Sequence, residues 1–81
     1  MELPLSYLTR RTTVERAAAE NTHDGKPFGH AQDDWERLLA KRREGDELWY
    51  FAPPDPSAIQ LWGVALVRGD KVVSTVITAV T

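Results

Sequence analysis

Between Asp46 and Thr81 the chain carries three runs, Glu47–Ala52, Ile59–Arg68 and Lys71–Val80, that are apolar on both sides of an extended backbone. A sheet with one wet face alternates apolar and polar residues, because successive side chains point to opposite faces. Lys71–Val80 does not alternate. Counted by simple alternation, Val72, Ser74, Val76, Thr78 and Val80 share one side, and Val73, Thr75, Ile77 and Ala79 share the other. The preceding run puts Ile59, Leu61, Gly63, Ala65 and Val67 on one side and Trp62, Val64 and Leu66 on the other. These segments predict an antiparallel meander that needs cover on both faces.

The cover on offer is small. The chain has 81 residues and fits one domain, 1–81, whose core supplies roughly 3–5 kcal/mol without a staple. It has no cysteine, which excludes disulfides and thiolate chemistry. Two helices are legible ahead of the strands. Thr12-Thr13-Val14-Glu15 reads as a capping box with Thr12 as the cap, and it starts a helix through about Glu20 with Val14, Ala17 and Ala18 on one stripe. Asn21–Gly29 reads as a loop around the turn dipeptide Asp24-Gly25. A second helix has Asp33 as its cap, Trp35, Leu38 and Leu39 on one face, and Gly45 as its left-handed stop. The expected fold is therefore α+β, two helices on a three-stranded antiparallel meander, in the order ααβββ.

Two short helices shelter one face of such a sheet. The surplus apolar face then meets another layer of this chain, which is short of material, or a second copy, a homodimer burying sheet surface or pairing sheet edges, which is the reading favoured. The alternative is a monomer whose threonines and small alanines make a tolerable wet face. The candidate interface residues are Trp62, Val64, Val73, Thr75 and Ile77.

Charge narrows the partners. The net charge is −2, which weighs against a dedicated nucleic-acid binder. Lys41, Arg42 and Arg43 cluster, but Asp33, Asp34, Glu36 and Glu44 dilute the patch. Residues 1–45 hold eight basic and eight acidic side chains, against two and four in residues 46–81, so the first half reads as the solvated one. No run approaches about 18 apolar residues, and Met1–Leu5 has neither a basic nor a long apolar stretch, so a membrane span and a secretory signal are not expected and the cytoplasm is the default.

No catalytic constellation is visible. Ser6, Ser57 and Ser74 lie in no triad or elbow context. His23, Asp24, His30, Asp33 and Asp34 carry ligand-type side chains, but their spacing suits caps and loops better than a metal, and no metal or cofactor is expected. Arg68-Gly69-Asp70 matches an adhesion tripeptide and coincides with the turn a hairpin needs. The alternative to a self-associating module is a small-molecule binder or enzyme, or a docking site for another protein. Its pocket would lie near the His23–His30 loop and the aromatic residues Trp35, Trp49, Phe51 and Trp62.

Gly45-Asp46-Glu47-Leu48-Trp49-Tyr50-Phe51, followed by Gly63-x-Ala65-Leu66-Val67-Arg68 and Val72-Val73, resembles a pattern of short uncharacterised bacterial proteins of the mobile gene-cassette kind. The resemblance covers residues 45–73. It implies a bacterial, cytoplasmic origin and carries no activity. The Pro53–Ile59 connection departs from it, being short and lacking the further aromatic expected there.

Overall fold

The computed structural model describes residues 3–80. Met1 and Glu2, the head of the segment read above for a signal, lie outside the described residues. The elements are β1 (Leu8–Thr12), α1 (Val14–Glu20), β2 (Thr22–His23), β3 (Lys26–Pro27), α2 (Gln32–Lys41), β4 (Glu47–Phe51), β5 (Leu61–Arg68) and β6 (Lys71–Val80). Single 3-10 turns at Leu5–Tyr7 and Gly29–Ala31 precede β1 and α2. The fold is α+β as expected, but the sheet has four strands in the order β1-β4-β5-β6, all antiparallel, and β2 with β3 forms a separate hairpin.

The added strand corrects the ααβββ order. Leu8-Thr9-Arg10-Arg11-Thr12 is polar, and only Thr12 in it is buried, so it carries no strand pattern of its own. Its structure comes from pairing with β4, whose outer edge would otherwise leave backbone groups unpaired. Because Thr12 ends that strand, the helix cap moves on by one. The Thr13 hydroxyl accepts the Arg16 amide at 3.1 Å.

At α2 two boundaries shift. Asp33 and Asp34 sit in the first turn, where they favour the helix dipole, and Ala31 occupies the cap position. The helix ends at Lys41, so Gly45 (φ +88°) serves the turn into β4 instead of the helix stop. The Asn21–Gly29 loop is a miniature hairpin. Asp24 and Gly25 take φ +53° and +78°, the double positive φ of a type I′ turn. Between β5 and β6, Gly69 at φ +65° closes the two-residue turn opposite Arg68 and Lys71.

The sheet divides two apolar clusters. On the first face α1 and α2 bring Ala17, Trp35 and Leu38, with Phe28, onto Leu48, Val64, Leu66 and Val76. On the second face Leu3 and Tyr7 cover Phe51, Ala65 and Val67, with Ala58 and Leu61 packed alongside. The chain thus finds more covering material than its two helices. The segment before β1 and the connection after β4 form the second layer, tied by the Tyr7 hydroxyl donating to the Ile59 carbonyl (2.9 Å) and the Ala52 amide donating to the Tyr7 carbonyl (2.9 Å). Asp55 shapes that connection by accepting the amides of Ser57 and Ala58.

Simple alternation fails along β6 because the strand is bulged twice. The register against β5 slips between Val72 and Ser74 and again between Ile77 and Ala79, leaving Val73 and Thr78 as extra residues. Residues directly opposite in an antiparallel pair share a face. Val72, Thr75, Ile77 and Val80 therefore face the second side, opposite Val67, Ala65, Gly63 and Leu61. Ser74, Val76 and Ala79 face the helices, opposite Leu66, Val64 and Trp62. At the second bulge the strands approach closely: a Cβ on Gly63 would fall 2.0 Å from the Val76 carbonyl oxygen.

Candidate functional site

His23 ends β2 and His30 lies in the 3-10 turn before α2. The hairpin brings them to one rim, where with Asp24, Lys26 and Gly29 they line an open hollow of about 510 Å³. Beneath it a recess of about 40 Å³ is closed by Asn21, Phe28, Ala31 and Thr78. Phe28 floors the region. It is buried at φ +62°, held by its amide donating to the Asn21 carbonyl (2.7 Å), with its ring 4.4 Å from that of Trp35. Among the described residues no group of three or more His, Cys, Asp or Glu side chains is gathered to hold a metal ion.

The predicted aromatic wall of this pocket does not assemble. Trp35 is buried under the hairpin, while Trp49 and Phe51 project from the opposite side of the sheet, Phe51 fully buried and Trp49 donating its indole N–H to Glu47 (3.0 Å). Trp62 is half-buried on the helix side, opposite Ala79. Strand parity, legible in the sequence, separates Trp49 and Phe51 from Leu48 and Tyr50.

Asp46 and Tyr50, two of the ionisable groups with displaced titration, also lie outside the lining of the hollow. Asp46 accepts the Arg68 guanidinium through both carboxylate oxygens (2.9 and 2.8 Å) and the Arg43 amide (2.8 Å). The Arg68 contact, then the amide, lower its pKa to about 2. Arg68 also donates to the Lys41 carbonyl at the end of α2 (3.1 Å). The guanidinium of the Arg68-Gly69-Asp70 turn is thereby committed to the fold. Tyr50 donates its hydroxyl to Glu20 (2.5 Å), and Arg10 sits 4.8 Å over its ring and 3.6 Å from Glu20. Burial first, and Glu20 second, raise the Tyr50 pKa, so the phenol stays protonated as a tie between β4 and α1.

The predicted interface residues divide. Val64 is fully buried beneath the helices and Val73 packs half-buried at their edge, whereas Thr75 and Ile77 are on the second face of the edge strand β6. Ile77 belongs to a larger exposed set. Among the described residues the exposed large hydrophobic side chains are Leu5 (47%), Ile59 (59%), Ile77 (42%) and Val80 (63%). All four lie at one end of the sheet, where β1 starts, β4 ends, β5 starts and β6 ends. Leu5 precedes β1 in the turn that Tyr7 ties to Ile59, Val80 lies opposite Leu61, and Ile77 lies opposite Gly63. Leu5, Ile59 and Val80 escape a reading by alternation. With Tyr7 and Leu8, Leu5 reads as a short helical or extended lead packed on the core, Ile59 reads as the start of a strand, and Val80 changes sides at the Thr78 bulge.

Comparison with protein-family models, with curated proteins and with solved structures finds no match. Among the described residues no helix is long and apolar enough to cross a membrane.

Proposed function

We propose that the chain is a small cytoplasmic, non-enzymatic interaction module that self-associates through its sheet. The observation that carries this reading is the gathering of Leu5, Ile59, Ile77 and Val80 at one end of the sheet. Exposed apolar side chains grouped at one end of a small sheet are a candidate contact surface. The cytoplasm is the compartment that the resemblance of residues 45–73 implies. Light scattering across micromolar concentrations tests the reading. A dimer mass is expected, and a single-copy mass throughout overturns it.

A small-molecule site is the second reading, and the hollow between His23 and His30 favours it. A thermal-shift screen with metal ions and metabolites separates the two, since a ligand at a hundred times its Kd adds about 2.7 kcal/mol. No shift, with unchanged behaviour of His23→Ala and His30→Ala, removes the second reading.

A further inference from the structure

The self-association just proposed leaves open which part of the sheet meets the second copy, and β6 carries a pattern that answers it. The residues on its second face are Val72, Thr75, Ile77 and Val80. Those on its helix face are Ser74, Val76 and Ala79, together with the two bulge residues. Val73 packs against the helix-side cluster, and Thr78 lines the recess with Phe28 and Ala31. Reflected about Val76, Val72 exchanges with Val80 and Thr75 with Ile77. Val73 exchanges with Ala79 and Ser74 with Thr78. Each face therefore maps onto itself. Plain alternation would give the same symmetry at any centre, but two irregularities spoil it unless they are placed evenly, and here they are.

We infer that two copies pair β6 with β6, antiparallel about a twofold axis through Val76, into one continuous eight-stranded sheet. An isologous contact needs a surface complementary to itself, and a strand whose facing pattern is palindromic supplies one. Bulges usually guard an edge. In this register the Val73-Ser74 bulge lies opposite the partner's Ala79 and Thr78, so the two irregularities meet each other instead of interrupting a regular neighbour. Charge agrees. From Val72 to Val80 the strand has no charged residue and no proline, and the antiparallel arrangement holds the two Lys71 side chains roughly 30 Å apart. Area argues for the edge as well. Ile59, Ile77 and Val80 offer on the order of 300 Å² of apolar surface per copy, short of the roughly 800 Å² per partner of a stable dimer. The backbone ladder and its flanking side chains have to contribute the rest.

The inference rests on the self-association reading, and disulfide trapping separates the two. The chain has no cysteine of its own. Thr75→Cys and Ile77→Cys copies, each checked for an unchanged circular dichroism spectrum, are oxidised singly and as a mixture, and the untreated proteins are sized by light scattering. The mixture is expected to give several-fold more disulfide-linked dimer than either variant alone, because Thr75 lies opposite the partner's Ile77. Ser74→Cys mixed with Thr78→Cys repeats the test on the other face. A dimer mass without preferential trapping of either pair overturns the twofold register while the self-association reading stands. A single-copy mass overturns both.

Discussion

β1 and β6 close the two sides of one sheet, and they are finished differently. β1 is five residues long, breaks register between Leu8 and Arg10, and places Arg10 and Arg11 near Glu20 (3.6 Å) and Glu47 (3.7 Å). A strand arriving there would have to displace two arginines and desolvate their partners. β6 is ten residues long, and beyond Lys71 its side chains are all valine, isoleucine, alanine, serine or threonine. Both edges are irregular, β1 breaking register once and β6 twice, so the contrast lies in length and charge: short, charged edges resist pairing and long uncharged ones invite it. The difference matters because both edges belong to the same small domain, so neither overall charge nor stability accounts for it.

The largest expected effect comes from removing the support of the open edge. Gly63→Ala puts a Cβ where the Val76 carbonyl stands, and the backbone on both strands has to part. A loss of about 3 kcal/mol is expected by urea denaturation, and any dimer should vanish with it. An unchanged midpoint would mean that β5 and β6 do not approach that closely at Gly63.

Exchanging the two finishes is a more direct comparison. Thr75→Lys with Ile77→Lys gives β6 the charge β1 has. Both sites are at least partly open to solvent, so folding should survive while the self-association constant falls at least tenfold, read by light scattering. The reverse change, Arg10→Val with Arg11→Val, opens β1 and should add species larger than a dimer. If neither pair of changes alters the mass distribution, edge finish does not govern association.

The core was legible where pattern and structure share a period. Trp35, Leu38 and Leu39 repeat at helical spacing, the two-residue turn at Gly69-Asp70 requires positive φ, and Leu48–Phe51 is a short, unbroken aromatic and apolar run ended by prolines, so α2, the β5–β6 hairpin and β4 could be read from the chain. β1 could not, because its residues have no apolar period and its pairing depends on β4, far along the sequence. The facing of β6 was hidden for a different reason. Val73 and Thr78 look like any other strand residues, yet each shifts everything after it to the other side, and a bulge is set by contacts with the partner strand. That shift is why simple alternation separates Val80 from Ile77, although the two share a face. The histidine hollow was half legible: Asp24-Gly25 announced the turn that brings His23 towards His30, but the distance to Trp49 depends on a sheet lying between them.

Asp46 ties this comparison to pH. It anchors Arg68, the last residue of β5 before the turn into β6, so it holds the base of the open edge. Its folded pKa, about 2, is depressed from the ordinary value of 3.8. The stabilisation is therefore fully present above about pH 4 and is lost as pH falls through about 2. Urea midpoints measured between pH 5 and pH 2 should drop for the wild-type chain, and the drop should be smaller in Asp46→Asn, which lacks the titrating group throughout. Equal slopes for the two proteins would show that the Asp46–Arg68 contact does not distinguish folded from unfolded chain.

The smallest effect is expected at the guarded edge. Arg10 is exposed, lies 3.6 Å from Glu20 and covers the Tyr50 ring, and exposed ion pairs and cation–π contacts contribute about 0.5 kcal/mol each at most sites. Arg10→Ala should therefore cost about 0.5–1 kcal/mol in low salt and less in 1 M salt, where the Debye length is about 3 Å. If the arginine acts chiefly as a guard, the same variant changes association more than stability, because it removes a charge from the edge strand β1. A stability loss well above 1 kcal/mol, unaffected by salt and unaccompanied by any change in mass, would make Arg10 a part of the fold and leave β1 protected by its short length and its break in register alone.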